Sequence, residues 1–121
     1  MMTTAIRGAV TVDSNSQGAI KNATIELLKE MLTKNGIEPK DISHAFFTMT
    51  KDLNAVYPAK FARDEMGFKY VPMMCFQELD IENSLKMALR IMLVVNKEIA
   101  QQDVKHIYLK GAQNLRPDLK D

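Results

Sequence analysis

The hydrophobic period of this chain switches from two to 3.6 shortly after residue 12, which commits it to a strand followed by a long amphipathic helix. Over residues 5–12, Ile6, Gly8, Val10 and Val12 fall on one face and Arg7, Ala9 and Thr11 on the other, the alternation of a strand with one apolar side. Arg7 thus points away from the greasier face. Beyond it, Ile20, Ala23, Leu27, Leu28, Met31 and Leu32 recur at helical spacing, with Asp13, Ser14 and Ser16 as candidate N-caps and Asn35-Gly36 as the stop.

After a turn at Ile37-Glu38-Pro39-Lys40, residues 44–50 read as a second strand with Ala45, Phe47 and Met49 on one side. Pro58 at a first helical position and Gly67 at a stop bracket a short helix that carries Lys60 and Arg63 near one face. Residues 70–76 resemble a third strand, and Pro72, which lacks a donor for the ladder, assigns it to an edge or a bulge. Asp80 is read as the cap of a further short helix through Leu85, followed by a strand over residues 89–95 that is rich in branched side chains. Residues 105–110 alternate again, with His106, Tyr108 and Lys110 opposite Ile107 and Leu109, and residues 114–121 read as a polar tail. The expectation is an α+β fold with one long and two short helices, in a single domain spanning residues 1–121 with a mobile C-terminal tail from about residue 112.

Length and charge limit the function. One domain and one core suit 121 residues that are 46% hydrophobic. Sixteen Lys plus Arg against fifteen Asp plus Glu leave a net charge of +1, too little field to draw in nucleic acid or an anionic membrane. The lone Cys75 has no internal disulfide partner, the first residues lack a signal-peptide pattern, and the apolar run over residues 87–95 is broken by Arg90. A soluble, cytoplasmic protein is expected. There is no Walker loop, dinucleotide fingerprint, His-x-x-x-His pair, CxxC or nucleophile elbow, so metal, nucleotide and serine-hydrolase chemistry are not expected.

What stands out is guanidinium inside apolar strands: Arg7 in Ile6-Arg7-Gly8-Ala9-Val10 and Arg90 in Leu89-Arg90-Ile91-Met92-Leu93. Arginine cannot shed its charge, so a desolvated head needs an anion or several acceptors. Glu78 is the obvious intramolecular partner for Arg90, and a solvated place on an open sheet face is the ordinary reading of Arg7. The plain readings of the other candidates are a packed thiol for Cys75, an amphipathic strand residue for Tyr108 and a solvated helix face for Lys60 and Arg63. His44 and His106 have no ligand spacing and are read as structural.

The segments Ala5-Ile6-Arg7-Gly8-Ala9-Val10-Thr11-Val12, Asp52-Leu53-Asn54-Ala55-Val56-Tyr57-Pro58-Ala59-Lys60 and Tyr70-Val71-Pro72 together resemble the monofunctional trimeric chorismate mutases. So do Cys75-Phe76-Gln77-Glu78-Leu79-Asp80, His106-Ile107-Tyr108-Leu109 and Leu115-Arg116-Pro117-Asp118-Leu119. The likeness runs in order from Ile6 to Leu119. It implies a mixed sheet in each subunit, a homotrimer packed as a pseudo-α/β barrel, and active sites in the clefts between neighbours. It also implies a cofactor-free pericyclic rearrangement of chorismate to prephenate in aromatic amino-acid biosynthesis.

Carried over by this resemblance, Arg90 donates to the ether oxygen of the breaking bond and touches a carboxylate, while Arg7 and Tyr108 bind carboxylate. Glu78 accepts from the ring hydroxyl and orients Arg90, with Cys75 helping to fix that hydroxyl. Arg63, Lys60 and Arg116 gather the anion at the mouth, Tyr57 and Ala59 form its wall, and the tail with Leu115 and Arg116 closes over it. Two positions depart from the family pattern: Tyr57 stands where phenylalanine is common, and Met74, also in the pocket, stands where a smaller polar residue occurs. The rival readings are a non-catalytic trimeric module that binds a small dicarboxylate, and another small-molecule enzyme on a related trimeric fold, such as an imine deaminase.

Overall fold

A computed structural model of the chain describes residues 2–115. Five strands, β1 (Thr4–Thr11), β2 (Ile42–Met49), β3 (Met73–Gln77), β4 (Ala88–Val95) and β5 (Ile107–Leu109), form one sheet in the order β3-β2-β4-β1-β5. β4 runs antiparallel to both β1 and β2, while β3 and β5 add in parallel at the two edges. Two α-helices, α1 (Gln17–Asn35) and α2 (Ala59–Glu65), lie with the sheet, and short 3-10 turns occupy Pro39–Asp41, Gln101–Asp103 and Lys110–Asn114.

The core forms between α1 and the sheet face that carries Ile6, Val10, Phe47, Leu89, Ile91 and Leu93, with Ile20, Leu27, Leu28 and Met31 of the helix buried against them. Gly8 permits the close approach: a Cβ built there would lie 2.5 Å from Met31 Sδ and 3.0 Å from Leu27 Cδ1. The helix ends are chemically marked. Ser16 Oγ accepts from the backbone N–H of Ala19, and Gly36, at φ 62°, turns left-handed so that its N–H reaches the carbonyls of Leu32 and Thr33. Lys21 of α1 pairs with Glu65 of α2 at 3.0 Å.

Pro72 precedes β3, which occupies the sheet edge, as a residue without a backbone donor requires. The helix expected from Asp80 through Leu85 does not form. Asp80 is drawn instead into an ion pair with Lys51 at 2.8 Å, the Ser84 hydroxyl donates to the carbonyl of Ile81, and Asn83 and Met87 adopt positive φ of 66° and 51°. These left-handed residues are incompatible with a continuing helix. Among the described residues there is therefore one short α-helix, not two. At the other end, Ala112, inside the stretch expected to be a mobile tail, is fully buried, and the Gly111 N–H donates to Thr11 Oγ1 at 2.9 Å. No helix among the described residues is long and apolar enough to cross a membrane.

Candidate active site

The sheet face away from α1 carries the candidate residues, and strand register explains why they meet. Phe76 of β3 lies beside Thr48 of β2, Thr48 beside Arg90 of β4, Arg90 beside Ala9 of β1, and Ala9 beside Tyr108 of β5. One row thus crosses all five strands. The next row runs Met74, Phe46, Met92, Arg7. Arg7 and Arg90, far apart in sequence, are diagonal neighbours because β1 and β4 are antiparallel with Ala9 opposite Arg90. They line a common cavity of about 520 Å³ with Gly8, Phe46, Thr48, Phe76, Ile91 and Met92.

Arg90 Nε lies 3.1 Å from Glu78 Oε2, an ion pair in which the glutamate side chain is only 16% exposed and the arginine 34%. Proximity is not matched by alignment: buried Arg90 Nε makes no hydrogen bond among the described residues, and neither does the buried hydroxyl of Tyr108. Buried polar atoms without partners are rare and mark places where something else supplies the bond. Glu78 is held from another side. Its N–H donates to the Met49 carbonyl at 2.9 Å, and its Oε2 accepts from the Thr48 hydroxyl at 2.7 Å. The backbone N–H of Arg7 donates to His106 Nδ1 at 3.0 Å, which extends the β1–β5 contact by one step.

The remaining candidates sit apart from this cluster. Cys75 is opposite Phe47 in register, on the core side of β3, and burial pushes its thiol up, offset in part by a backbone hydrogen bond from Ala59. It lines a second cavity of about 650 Å³ with Tyr57, Phe76 and the residue 49–56 segment. Met74 and Tyr57 are exposed. Lys60 and Arg63 stand on α2, each 3.5 Å from Asp64. Ala59, Lys60, Arg63, Tyr57 and Cys75 do not line the cavity of Arg7 and Arg90. Leu115 closes the last 3-10 turn, its N–H bonded to the Ala112 carbonyl; Arg116 lies outside the described residues.

Three supporting residues had no signal in the sequence. Thr48 is one polar residue in a strand until register puts it beside Arg90. Asn15 is ordinary in a loop, yet its Oδ1 accepts from the N–H groups of Asn54 and Ala55, fastening the segment that leads to Tyr57. Asp52 likewise accepts from Met87 N–H at 3.0 Å and from the Thr50 hydroxyl, which anchors the turn entering β4.

A family model for chorismate mutase type I matches residues 3–119. The chain belongs to the chorismate mutase type I family. Relatives include the chorismate mutase AroH of Bacillus subtilis (strain 168), 39% identical over 119 residues and covering 98% of this chain and 94% of that protein. The AroH chorismate mutase of Thermus thermophilus is also 39% identical, over 120 residues, covering 98% of each. A solved chorismate mutase from Clostridium thermocellum superposes with a TM-score of 0.87 at 46% identity, covering 91% of this chain and 97% of that one. The α+β mixed sheet is therefore the fold of this chorismate mutase family, and Arg7 and Arg90 line a cavity on its open face, with Glu78 paired to Arg90.

Proposed function

We propose that this chorismate mutase chain is an isomerase that converts chorismate to prephenate by an intramolecular pericyclic rearrangement, serving aromatic amino-acid biosynthesis in the cytoplasm. The observation that carries the site assignment is a pair of buried donors, Arg90 Nε and Tyr108 Oη, that make no hydrogen bond among the described residues, on strands either side of Ala9. Such donors suit an anion arriving from outside the chain.

Within the substrate the ether carbon–oxygen bond breaks as a carbon–carbon bond forms, and no proton leaves or enters. Negative charge gathers on the ether oxygen as its bond lengthens. A guanidinium already fixed beside that oxygen interacts more strongly with the stretched bond than with the ground state, which accelerates the step. Arg90 takes that role. Arg7 and Tyr108 hold a carboxylate, and Glu78 accepts from the ring hydroxyl while keeping Arg90 in place. Fixing both carboxylates selects the compact conformer in which the bond-forming ends meet.

Lys60, Arg63, Tyr57, Ala59, Met74 and Cys75 serve the same substrate from a second subunit in a homotrimer, with Leu115 and Arg116 closing the mouth. Lys60, Arg63, Tyr57, Ala59 and Cys75 do not line the Arg7 cavity within one chain, which supports this, as does the apolar open face: Met74 and Phe76 are 58% and 45% exposed beside half-buried Phe46 and Met92. Apolar surface of this kind is normally covered by a partner. Purified protein incubated with chorismate is expected to release prephenate. Binding without turnover would mean a non-catalytic module, and neither binding nor turnover would reject the assignment.

A further inference from the structure

We infer that Thr48 is a positioning residue for the rearrangement, acting through Glu78 to keep the Arg90 guanidinium available to the reacting ether; this rests on the function proposed above. Thr48 lies on β2, between Phe76 of β3 and Arg90 of β4 in the same row, and lines the cavity of Arg7 and Arg90. Its hydroxyl donates to Glu78 Oε2 at 2.7 Å, and that same oxygen is the one 3.1 Å from Arg90 Nε. The oxygen is thus shared between a donor fixed on the sheet and a cation beside it.

The sharing decides what the arginine is free to do. A carboxylate without other ties turns toward a guanidinium and forms aligned, often bidentate, hydrogen bonds that use up the fork. Here Glu78 balances the charge of Arg90 at short range, yet the Nε–H has no aligned acceptor among the described residues. The hydroxyl of Thr48 holds the carboxylate in the orientation that leaves this donor unspent. Backbone bonding reinforces the restraint: the Glu78 N–H donates to Met49, the residue after Thr48. Thr48 is attached to a strand with a partner on each side, so its hydroxyl moves little, whereas the Glu78 side chain, just beyond the end of β3, has torsions to spare.

Removing the hydroxyl while keeping the shape, as in Thr48→Val, releases the carboxylate to engage Arg90 directly. The guanidinium then begins the reaction already hydrogen-bonded, and stabilisation made only in the transition state is lost. That signature is a fall in kcat at nearly constant KM. A purely structural threonine would lower the unfolding temperature without this selective effect.

The test is steady-state turnover of chorismate by wild type, Thr48→Val, Thr48→Ser, Glu78→Ala and the Thr48→Val/Glu78→Ala double variant, with thermal unfolding of each. The expected result for Thr48→Val is a fall in kcat of about tenfold or more with KM changed less than about threefold. Thr48→Ser, which keeps the donor, returns to within about threefold of wild type, and Thr48→Val adds no loss in the Glu78→Ala background. If the valine variant does not fold, Thr48→Ala, which only removes atoms, is read in the same way. Wild-type kcat in the valine or alanine variant, full additivity with Glu78→Ala, or a serine variant as slow as valine would overturn the inference. These outcomes differ from failure of the proposed function, in which wild type does not turn over chorismate or Arg90→Ala turns over normally; that would overturn both.

Discussion

Arg90 is a cation held in an apolar strand by a carboxylate that does not fully satisfy it, with Glu78 Oε2 at 3.1 Å and no aligned acceptor for its Nε–H among the described residues. Replacing it with lysine keeps the charge but not the planar fork, so Arg90→Lys is expected to remain folded and to recover only a small part of the turnover lost in Arg90→Ala, read from kcat. Asp52 offers a test of a different kind. The Thr50 hydroxyl, helped by the Met87 N–H, holds its carboxyl below the ordinary value of 3.8. A carboxyl with a lower pKa in the folded chain stabilises the fold fully above the unfolded value, and that stabilisation is lost as pH falls through the folded one. Asp52→Asn is therefore expected to melt below wild type near neutral pH, the gap closing below about pH 4; melting curves across pH measure it, and a gap independent of pH would count against the assignment. At this scale Arg7 and Arg90 were legible, because an arginine inside an apolar run is conspicuous. Thr48, Asn15 and Asp52 were not, since their importance lies in partners 30 to 40 positions away along the chain, or in the strained turn at Met87.

The elements follow local rules that a sequence carries well. α1 is bounded by a serine cap and a left-handed glycine, and β3 begins just after Pro72 at an edge. The failure at residues 80–85 is instructive: Asp80 has the chemistry of a cap, but Lys51, brought near by the fold, takes its carboxylate, and the positive φ of Asn83 and Met87 breaks the run. A long-range ion pair cannot be read from a local pattern. At Gly8 β1 and α1 are closely opposed, and Gly8→Ala would drive a methyl into Met31 and Leu27. Overpacking of this kind costs about 1–3 kcal/mol, so the urea midpoint should fall accordingly, whereas Gly18→Ala, where a Cβ meets nothing within 4 Å, should leave it unchanged or raise it.

For the whole molecule, alternation predicts which residues share a face but not which strands adjoin. The order β3-β2-β4-β1-β5 is what gathers Thr48, Arg90, Ala9 and Tyr108 into one row, and no local pattern encodes it. The proposed assembly carries its own expectation: mass in solution should correspond to three chains and stay constant on dilution, and an isolated chain with full activity would defeat the shared-cleft arrangement. Since the proposed step moves no proton, kcat under saturation should be nearly flat across neutral pH, and a steep dependence on one titrating group there would argue for different chemistry. The most direct measurement is the rate of prephenate formation by folded Arg90→Ala at saturating chorismate. A loss of at least about 100-fold in kcat, the scale for removing a donor to developing negative charge, is predicted; turnover close to wild type would contradict a guanidinium acting on the stretching ether bond.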